Sequence, residues 1–464
     1  MLKMRRLLFV LSFVFVAAGM KAADTDSLRY RISLKDKVGS AYSLDRPQEF
    51  LSERALARRQ RQGISVDSTD LPVSQTYVQA IEREGGHVVL KGKWENFVTI
   101  STNEHSVAER ISRLPFVTKV EKVWSLGSSK PTTTAERRMP LSNEVKEHPD
   151  SIYGSATAQI QISKADKLHE VGYRGEGKII GILDGGFHNL DSITALANVN
   201  VLGTLDVVDP GSDIYAASSH GLSVLSCIGT NRPYEMVGTA PGASFWLIRT
   251  ENESSESPVE EDNWCIGVEF CDSVGVDVMN TSLGYNEFDD KSMNYTLRDL
   301  DGKTMLMTRQ ASRIASKGMI LVCSAGNSGS NSWKKTTAPG DATDVLTVGA
   351  IGKDGVLAAF SSIGTTSDGR IKPDVVAVGL MSDVLRPNGN QGRANGTSFA
   401  SPIMCGMVTC LWQACPNLTA KQVIELVKSA GDRADFPDNI YGYGIPDMWA
   451  AYQAYLAGKA TVNR

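Results

Sequence analysis

The chain has 464 residues, of which 42% are hydrophobic and 22% charged, with 48 Lys and Arg against 52 Asp and Glu. The formal net charge of -4 excludes the basic excess expected of a nucleic-acid-binding protein, and the apolar fraction excludes a disordered chain. A chain of this length is expected to form two or three domains and to bury a large core.

The first residues predict a targeting segment. Lys3, Arg5 and Arg6 precede an apolar run over 7–18, which small residues follow. This order is typical of a secretory signal peptide, and the run is short for a membrane span. We assign 1–23 to a signal peptide and expect an exported protein, periplasmic or extracellular, without a membrane span after its removal. An uncleaved anchor is the alternative.

Residues 28–127 predict a small α+β domain. Apolar residues alternate from Leu28 to Leu34 with the period of a half-buried strand. The charged segment 50–62 favours a helix that ends at Gly63. Two more helices are predicted over 77–84 and 105–114. Three more strands are predicted over 87–91, 97–101 and 117–124.

The segment 128–151 predicts a linker. It is polar, contains Pro131, Pro140 and Pro149, and shows no hydrophobic period.

From residue 152 onward, short apolar runs alternate with helix-length segments. Strands are predicted over 178–183, 245–249, 276–280, 319–324 and 346–350, and helices over 162–171, 259–274, 305–317, 398–414 and 420–429. This alternation predicts an α/β fold, a doubly wound and mostly parallel sheet with helices on both faces. Because ligands of such sheets bind beyond the carboxyl ends of the strands, polar residues at those ends are candidate site residues.

Two such residues suit acid–base chemistry. Asp184 ends the first strand before two glycines, and it is a candidate either to aim a carboxylate into the crevice or to close a turn. His220 opens an apolar helical run and suits a general base whose second nitrogen binds a buried Asp. A purely structural hydrogen bond is the alternative for His220, and His188 is the weaker candidate base.

A serine, an asparagine and a short segment that follows a strand complete the pattern. Ser398 lies in the first turn of a predicted helix after a Gly-rich loop, where free N–H groups favour an oxyanion, although an N-cap serine looks the same. Asn327 follows a buried strand and offers an amide donor to an oxyanion, or closes a turn. The segment 282–284 offers backbone groups to an extended peptide, or is an ordinary loop exit.

The chain resembles the subtilisin-like serine proteases, the subtilases, over about 152–455. The resemblance lies in a set of elements and in their order: Asp184, His220-Gly221, Ser282-Leu283-Gly284, Ala325-Gly326-Asn327 and Gly396-Thr397-Ser398-Phe399-Ala400-Ser401-Pro402. The order Asp, His, Ser differs from that of chymotrypsin-like enzymes and of α/β-hydrolases. Gly185 and Leu222 depart from the Ser or Thr that the family usually has at these positions.

The resemblance implies a secreted serine endopeptidase with its catalytic domain over 152–464. Asp184, His220 and Ser398 would form the triad, and Asn327 would stabilise the oxyanion. Ser282, Leu283, Gly284, Ala325 and Gly326 would bind protein or peptide substrates.

The resemblance also gives 28–127 a function, that of an N-terminal propeptide which assists folding and then inhibits the enzyme. Cleavage is expected within about 125–151, and a permanent binding domain is the alternative. A non-catalytic exported binding protein on the same fold, and an esterase or amidase on small molecules, are the alternatives for the whole chain.

No cofactor is expected for the chemistry. The seven cysteines show no zinc-binding spacing; most are expected to be buried apolar groups, although Cys265 with Cys271 and Cys410 with Cys415 could form disulfides. Structural calcium is possible, but no loop with regular acidic spacing predicts it. The acidic cluster 260–262 is interpreted as a solvated helix start.

Overall fold

The computed structural model describes residues 28–126 and 150–458. The predicted signal peptide and most of the predicted linker lie outside these ranges. The strands are β1 Leu28–Leu34, β2 His87–Gly92, β3 Phe97–Thr102, β4 Val117–Ser125, β5 Ile179–Asp184, β6 Asn200–Asp206, β7 Asn231–Arg232, β8 Met236–Val237, β9 Ser244–Arg249, β10 Val278–Thr281, β11 Ile320–Ser324, β12 Leu346–Ile351, β13 Gly364–Thr365, β14 Ile371–Lys372, β15 Val375–Val378, β16 Ser382–Leu385 and β17 Gln391–Ala394.

The helices follow the same chain order. They are α1 Glu53–Arg61, α2 Gln75–Arg83, α3 His105–Ser112, α4 Thr157–Gln161, α5 Asp166–Glu170, α6 His220–Gly229, α7 Val259–Val274, α8 Leu306–Ile314, α9 Thr397–Ala414, α10 Ala420–Ser429 and α11 Met448–Leu456. In the described ranges, no helix is both long and apolar enough to cross a membrane.

The N-terminal domain is an α+β unit, as its alternating pattern predicts. Its antiparallel sheet has the order β2-β3-β1-β4. The inward side chains of β1, such as Ile32, pack with Ile81 of α2 and Ile111 of α3 in one apolar core. Burial of these side chains stabilises the domain because each removes apolar surface from water.

The second domain contains the predicted parallel sheet. Its seven strands have the order β15-β12-β11-β10-β5-β9-β6, and every neighbouring pair is parallel. Alternate residues of one strand enter different cores: Ile182 of β5 packs on the side of α6 and α9, and Leu183 packs on the side of α7. Helices therefore cover both faces, and all carboxyl ends of the strands lie along one edge.

Three differences from the predicted elements have local causes. The edge strand β6 was not predicted, because its residues are mostly half-buried or exposed and lack an apolar run. The last strand β15 was not predicted either, since it has only four residues. Of the predicted helix 162–171, only α5 is helical; α4 ends before this range, and Lys164 between the two helices has a φ of 51°, in the left-handed region.

The interpretation of 260–262 as a solvated helix start is wrong. Glu260, Glu261 and Asp262 open α7 but are at most 2% exposed. Arg31 of β1 forms an ion pair with Asp262, and the Thr99 hydroxyl of β3 donates to the same carboxylate at 2.7 Å. The N-terminal domain therefore covers the start of α7, which is a long-range contact that a local pattern does not reveal.

A cluster of buried charges joins the two domains further along α7. The guanidinium groups of Arg58 and Arg59, both on α1, contact the carboxylate of Asp272. Burial alone would raise the pKa of Asp272, but the nearby cations lower it below its usual value. One turn earlier, Glu269 accepts the backbone N–H groups of Lys93 and Trp94 at 2.7 and 2.8 Å. Polar contacts therefore fix the orientation of the N-terminal domain on α7.

The seven cysteines are all buried and unbridged. The possible pairs Cys265 with Cys271 and Cys410 with Cys415 do not form disulfides. Burial raises the pKa of these thiols, so they behave as small apolar groups, as expected for most of them.

Candidate active site

Asp184 lies at the carboxyl end of the central strand β5. Its carboxylate is 1% exposed and accepts the backbone N–H of Gly185 at 2.8 Å. The parallel register places Thr281 of β10 beside Leu183, so the carboxyl ends of both strands are adjacent. The next strand, β11, pairs with β10 on its other side and leads to Ala325.

Glycines bring the start of α6 against this strand end. A Cβ atom on Gly221 would lie 2.5 Å from the Gly186 carbonyl oxygen and 2.9 Å from the Asp184 Cβ. Gly186 itself has a φ of 149°, and a Cβ there would approach the Ser218 nitrogen to 2.5 Å. Only glycine fits such backbone approaches, which explains the glycines after Asp184 and His220.

His220 is the first residue of α6 and forms a close pair with Asp184. Its Nδ1 lies 2.9 Å from Oδ1 and 3.0 Å from Oδ2 of that carboxylate. The His220 side chain is 24% exposed, so one side of the ring is open to the cleft. The pair forms with Gly185 and the fully buried Leu222 in place, so these departures from the family pattern do not separate it.

Ser398 is the second residue of α9. Its Oγ donates to the Ser282 carbonyl at 3.3 Å, and the Ser282 hydroxyl donates to the Ser398 carbonyl at 2.8 Å. The ring of Phe399, the following residue, lies 5.8 Å from the His220 ring between centroids. The first turn of α9 is therefore held between the end of β10 and the imidazole.

Asn327 turns its amide nitrogen toward the same helix start. Its Oδ1 accepts both the backbone N–H and the hydroxyl of Thr397, each at 2.9 Å. This leaves Nδ2 to donate elsewhere. A Cβ on Gly396 would lie 3.6 Å from Nδ2 of Asn327 and 3.5 Å from the Ser398 nitrogen. The two donors thus face one small space that the absent side chain of Gly396 keeps open.

We expect Gly396→Ala to lower kcat by about 10²-fold or more, because its methyl group enters the space between Asn327 Nδ2 and the Ser398 N–H, the two groups expected to bind the oxyanion. The φ of 152° at this position also disfavours alanine. Measurement of kcat and KM on one peptide amide checks this, with Gly369→Ala as the matched control, since Gly369 also has a positive φ and no atom within 4 Å of an added Cβ. Equal kcat in the two variants would contradict the assignment.

The segment Ser282 to Gly284 continues from β10 along the cleft. Tyr285 pairs through its backbone with Ala338. In contrast, neither the Leu283 N–H nor the N–H and C=O of Gly284 has a backbone partner in the part of the chain that is described. Such groups can pair with an extended peptide as an added strand.

A cavity of about 260 Å³ opens between this segment and the Asp184–His220 pair. The stretch 251–260 also lines it and contributes four glutamates, of which the sequence pattern singled out only Glu260, in the cluster 260–262. Glu251 is 8% exposed and accepts the Tyr285 hydroxyl. Only the density of acidic residues between β9 and α7 could have indicated this acidic lining.

The predicted site residues lie at the carboxyl ends of β5, β10 and β11 and at the starts of α6 and α9. Asp184 and His220 are in direct contact, Ser398 binds Ser282, and Asn327 binds Thr397 beside Ser398. Ala325 and Gly326 lie between these groups, at the end of β11: the Ala325 N–H donates to the Val348 carbonyl, and the Gly326 N–H donates to the Thr397 hydroxyl at 3.1 Å. The weaker candidate base, His188, binds the Ser218 carbonyl through its backbone N–H.

Comparisons with known families agree with this fold. The model of the Subtilase family, Peptidase_S8, matches residues 175–444, more than half of the chain. The model of the Peptidase S8 propeptide domain of Bacteroidota matches residues 29–138. The chain belongs to the subtilase family. It is a subtilisin-like serine peptidase chain that carries an N-terminal propeptide domain.

Individual relatives are similar over most of the chain. Subtilisin NAT of Bacillus subtilis subsp. natto is 28% identical over 380 residues, 80% of this chain and 85% of that protein. The serine protease AprX of Bacillus subtilis is 28% identical over 338 residues, 66% of this chain and 72% of its own length.

A solved structure shares the fold. Fervidolysin from Fervidobacterium pennivorans, a keratinolytic enzyme related to subtilisin, superposes with a TM-score of 0.63 at 19% identity. The match covers 94% of this chain and 62% of fervidolysin, so this chain spans less than two thirds of that protein.

Proposed function

We propose that the protein is an exported serine endopeptidase, made as a zymogen, that hydrolyses peptide bonds through an acyl-enzyme. The observation that carries the proposal is the contact of His220 Nδ1 with both oxygens of the buried Asp184 carboxylate, at the same strand edge as the Ser398 hydroxyl. A general base oriented by a buried acid beside a hydroxyl is the arrangement that activates a serine.

Each residue then has a role in the reaction. His220 takes the proton from Ser398 as its oxygen attacks the scissile carbonyl, and Asp184 stabilises the imidazolium that forms. The developing oxyanion lies between Asn327 Nδ2 and the Ser398 N–H, which has no acceptor within the helix because it is among the first donors of α9. The proton passes to the leaving amine, and water then releases the acyl group.

The substrate binds along the segment 282–284. Its backbone pairs with the open groups of Leu283 and Gly284, which favours an extended peptide over a small ester. The residue before the cleaved bond enters the pocket between this segment and 325–327. No step needs a cofactor, and the propeptide domain acts as an intramolecular inhibitor until cleavage within about 125–151.

Labelling with a serine-directed phosphonate tests the proposal. We expect one label per chain at Ser398, located by peptide mapping, and loss of casein digestion in proportion to labelling. A non-catalytic binding protein on this fold would show neither label nor digestion, and a label on another serine would exclude the assignment of Ser398.

A further inference from the structure

The cavity beside the Asp184–His220 pair has a strongly acidic lining. Asp184 and four glutamates line it, and none of its described lining residues is Lys or Arg. The glutamates are Glu251, Glu253, Glu256 and Glu260. Two of them, Glu251 and Glu260, are less than a tenth exposed, which is rare for acidic side chains.

The position of the cavity relates it to one residue of the substrate. Leu283 and Gly284, whose open backbone groups suit an extended peptide, line the same cavity as the glutamates. Successive side chains of an extended peptide point to opposite faces. The second residue before the cleaved bond therefore points away from the pocket of the first, toward the wall of His220 and the glutamates.

We propose that this cavity binds a Lys or Arg side chain at the second residue before the cleaved bond, and that the enzyme selects substrates that carry one. This inference rests on the proposed peptidase function and adds its substrate class.

The electrostatics of the empty cavity favour a cation. Burial, with contributions from Glu256 and Asp184, raises the pKa of Glu251 to about 8. Burial, with contributions from Glu251 and Glu256, raises the pKa of Glu260 as well. A cation nearby stabilises the charged form of each carboxylate, so an entering guanidinium or ammonium relieves the repulsion. A neutral side chain lacks this stabilising effect.

The carboxylates are held in place for an organic cation rather than for a metal ion. Glu260 accepts the backbone N–H groups of Asn252 and Ser257 at 2.9 and 3.0 Å, and Glu253 accepts the Ser218 hydroxyl. Across the described ranges, no three His, Cys, Asp or Glu side chains are placed to hold a metal. The several donors of a guanidinium suit acceptors spread along one wall.

The chain itself contains a pair of basic residues that fits this preference. Arg137-Arg138 occurs in the predicted linker, and the propeptide family match ends at residue 138. Cleavage after Arg138 would place Arg137 second from the cut. We therefore assign this segment as the first substrate of the enzyme, with Met139 as the new N-terminus.

Three peptide amides test the preference on the wild-type enzyme. They share every residue except the second before the cut, which is Arg, Gln or Glu. We expect kcat/KM for the Arg peptide to exceed that for the Gln peptide by tenfold or more, with the Glu peptide lowest. Equal values for Arg and Gln would overturn the proposal. A preference that EDTA abolishes and calcium restores would assign the carboxylates to a metal and overturn it also.

Variants of the glutamates test whether these residues cause the preference for Arg. In Glu253→Gln/Glu256→Gln we expect the Arg/Gln ratio to fall by at least fivefold, and in Glu256→Lys we expect the Glu peptide to overtake the Arg peptide. Glu425→Gln, on the exposed face of α10, is the control and keeps the wild-type ratio. Because each value is a ratio within one variant, partial loss of folded protein does not affect it. An unchanged ratio in the double variant would overturn the proposal.

N-terminal sequencing of the mature protein tests the chain's own segment. We expect it to begin at Met139, and we expect Arg137→Gln, compared with Lys130→Gln, to slow maturation. A mature N-terminus without a basic residue second from the cut would overturn the proposal. Cleavage of all three peptides at equal rates would remove only the preference, whereas absence of both hydrolysis and phosphonate labelling would remove the peptidase function and this inference with it.

Discussion

The Ser398→Ala variant is expected to hydrolyse a peptide amide about 10⁶-fold more slowly than the wild type, the effect of removing the nucleophile in subtilisin, a relative of this chain. The methyl group cannot attack the carbonyl, so no acyl-enzyme forms, although Asn327 and the substrate-binding segment remain. Steady-state kinetics and intact-mass measurement check this together: the variant should neither react with phosphonate nor release its propeptide domain, because maturation depends on the same hydroxyl.

The control is Ser429→Ala, which removes an exposed hydroxyl from the end of α10. It should mature and hydrolyse peptides at the wild-type rate. A Ser398→Ala variant that still matures when purified alone, free of other proteases, would assign the nucleophile to another residue.

Asp184→Asn is expected to lower kcat by about 10³- to 10⁵-fold with little change in fold. Asparagine has the shape of aspartate, so the close approach of Gly221 to the Cβ at 184 is preserved. Its amide cannot stabilise the imidazolium, and it favours the wrong tautomer of His220 whenever its N–H₂ group faces Nδ1. Kinetics on one peptide amide give kcat, and circular dichroism confirms that the fold persists.

The matched substitution is Asp191→Asn, in the exposed loop after β5. It removes a carboxylate without a contact to the imidazole and should leave kcat within about twofold of the wild type, since surface changes of this kind have small effects. A kcat for Asp184→Asn within tenfold of the wild type would show that this carboxylate does not orient the base.

The site could be predicted from sequence because its residues belong to local signatures. A strand followed by Asp184 and two glycines, or a Gly-rich loop that ends at Ser398, fixes where each side chain lies relative to the sheet edge. The glycines carry spatial information as well, since Gly221 and Gly396 occupy positions where a Cβ would meet backbone or fill the space between donors.

What could not be predicted depends on distant parts of the chain. Asp262 is buried because it contacts Arg31 and Thr99, which are far away in sequence. The local acidic pattern therefore indicated a solvated helix start. The glutamates of 251–260 line one cavity together with residues 282–285, which are distant in sequence. The edge strand β6 lacks the apolar run that identified the interior strands.

The buried ion pairs between α1 and α7 affect how the propeptide domain leaves the enzyme after cleavage. When the N-terminal domain departs, Arg58 and Arg59 leave with it, and Asp272 and Glu269 become exposed to water on the enzyme. The two separated faces then carry complementary charges, Arg58 and Arg59 facing Asp272 and Asp70 facing Lys317. The attraction between such exposed charges weakens as ionic strength rises. We therefore expect the cleaved propeptide domain to dissociate faster from the enzyme as ionic strength rises.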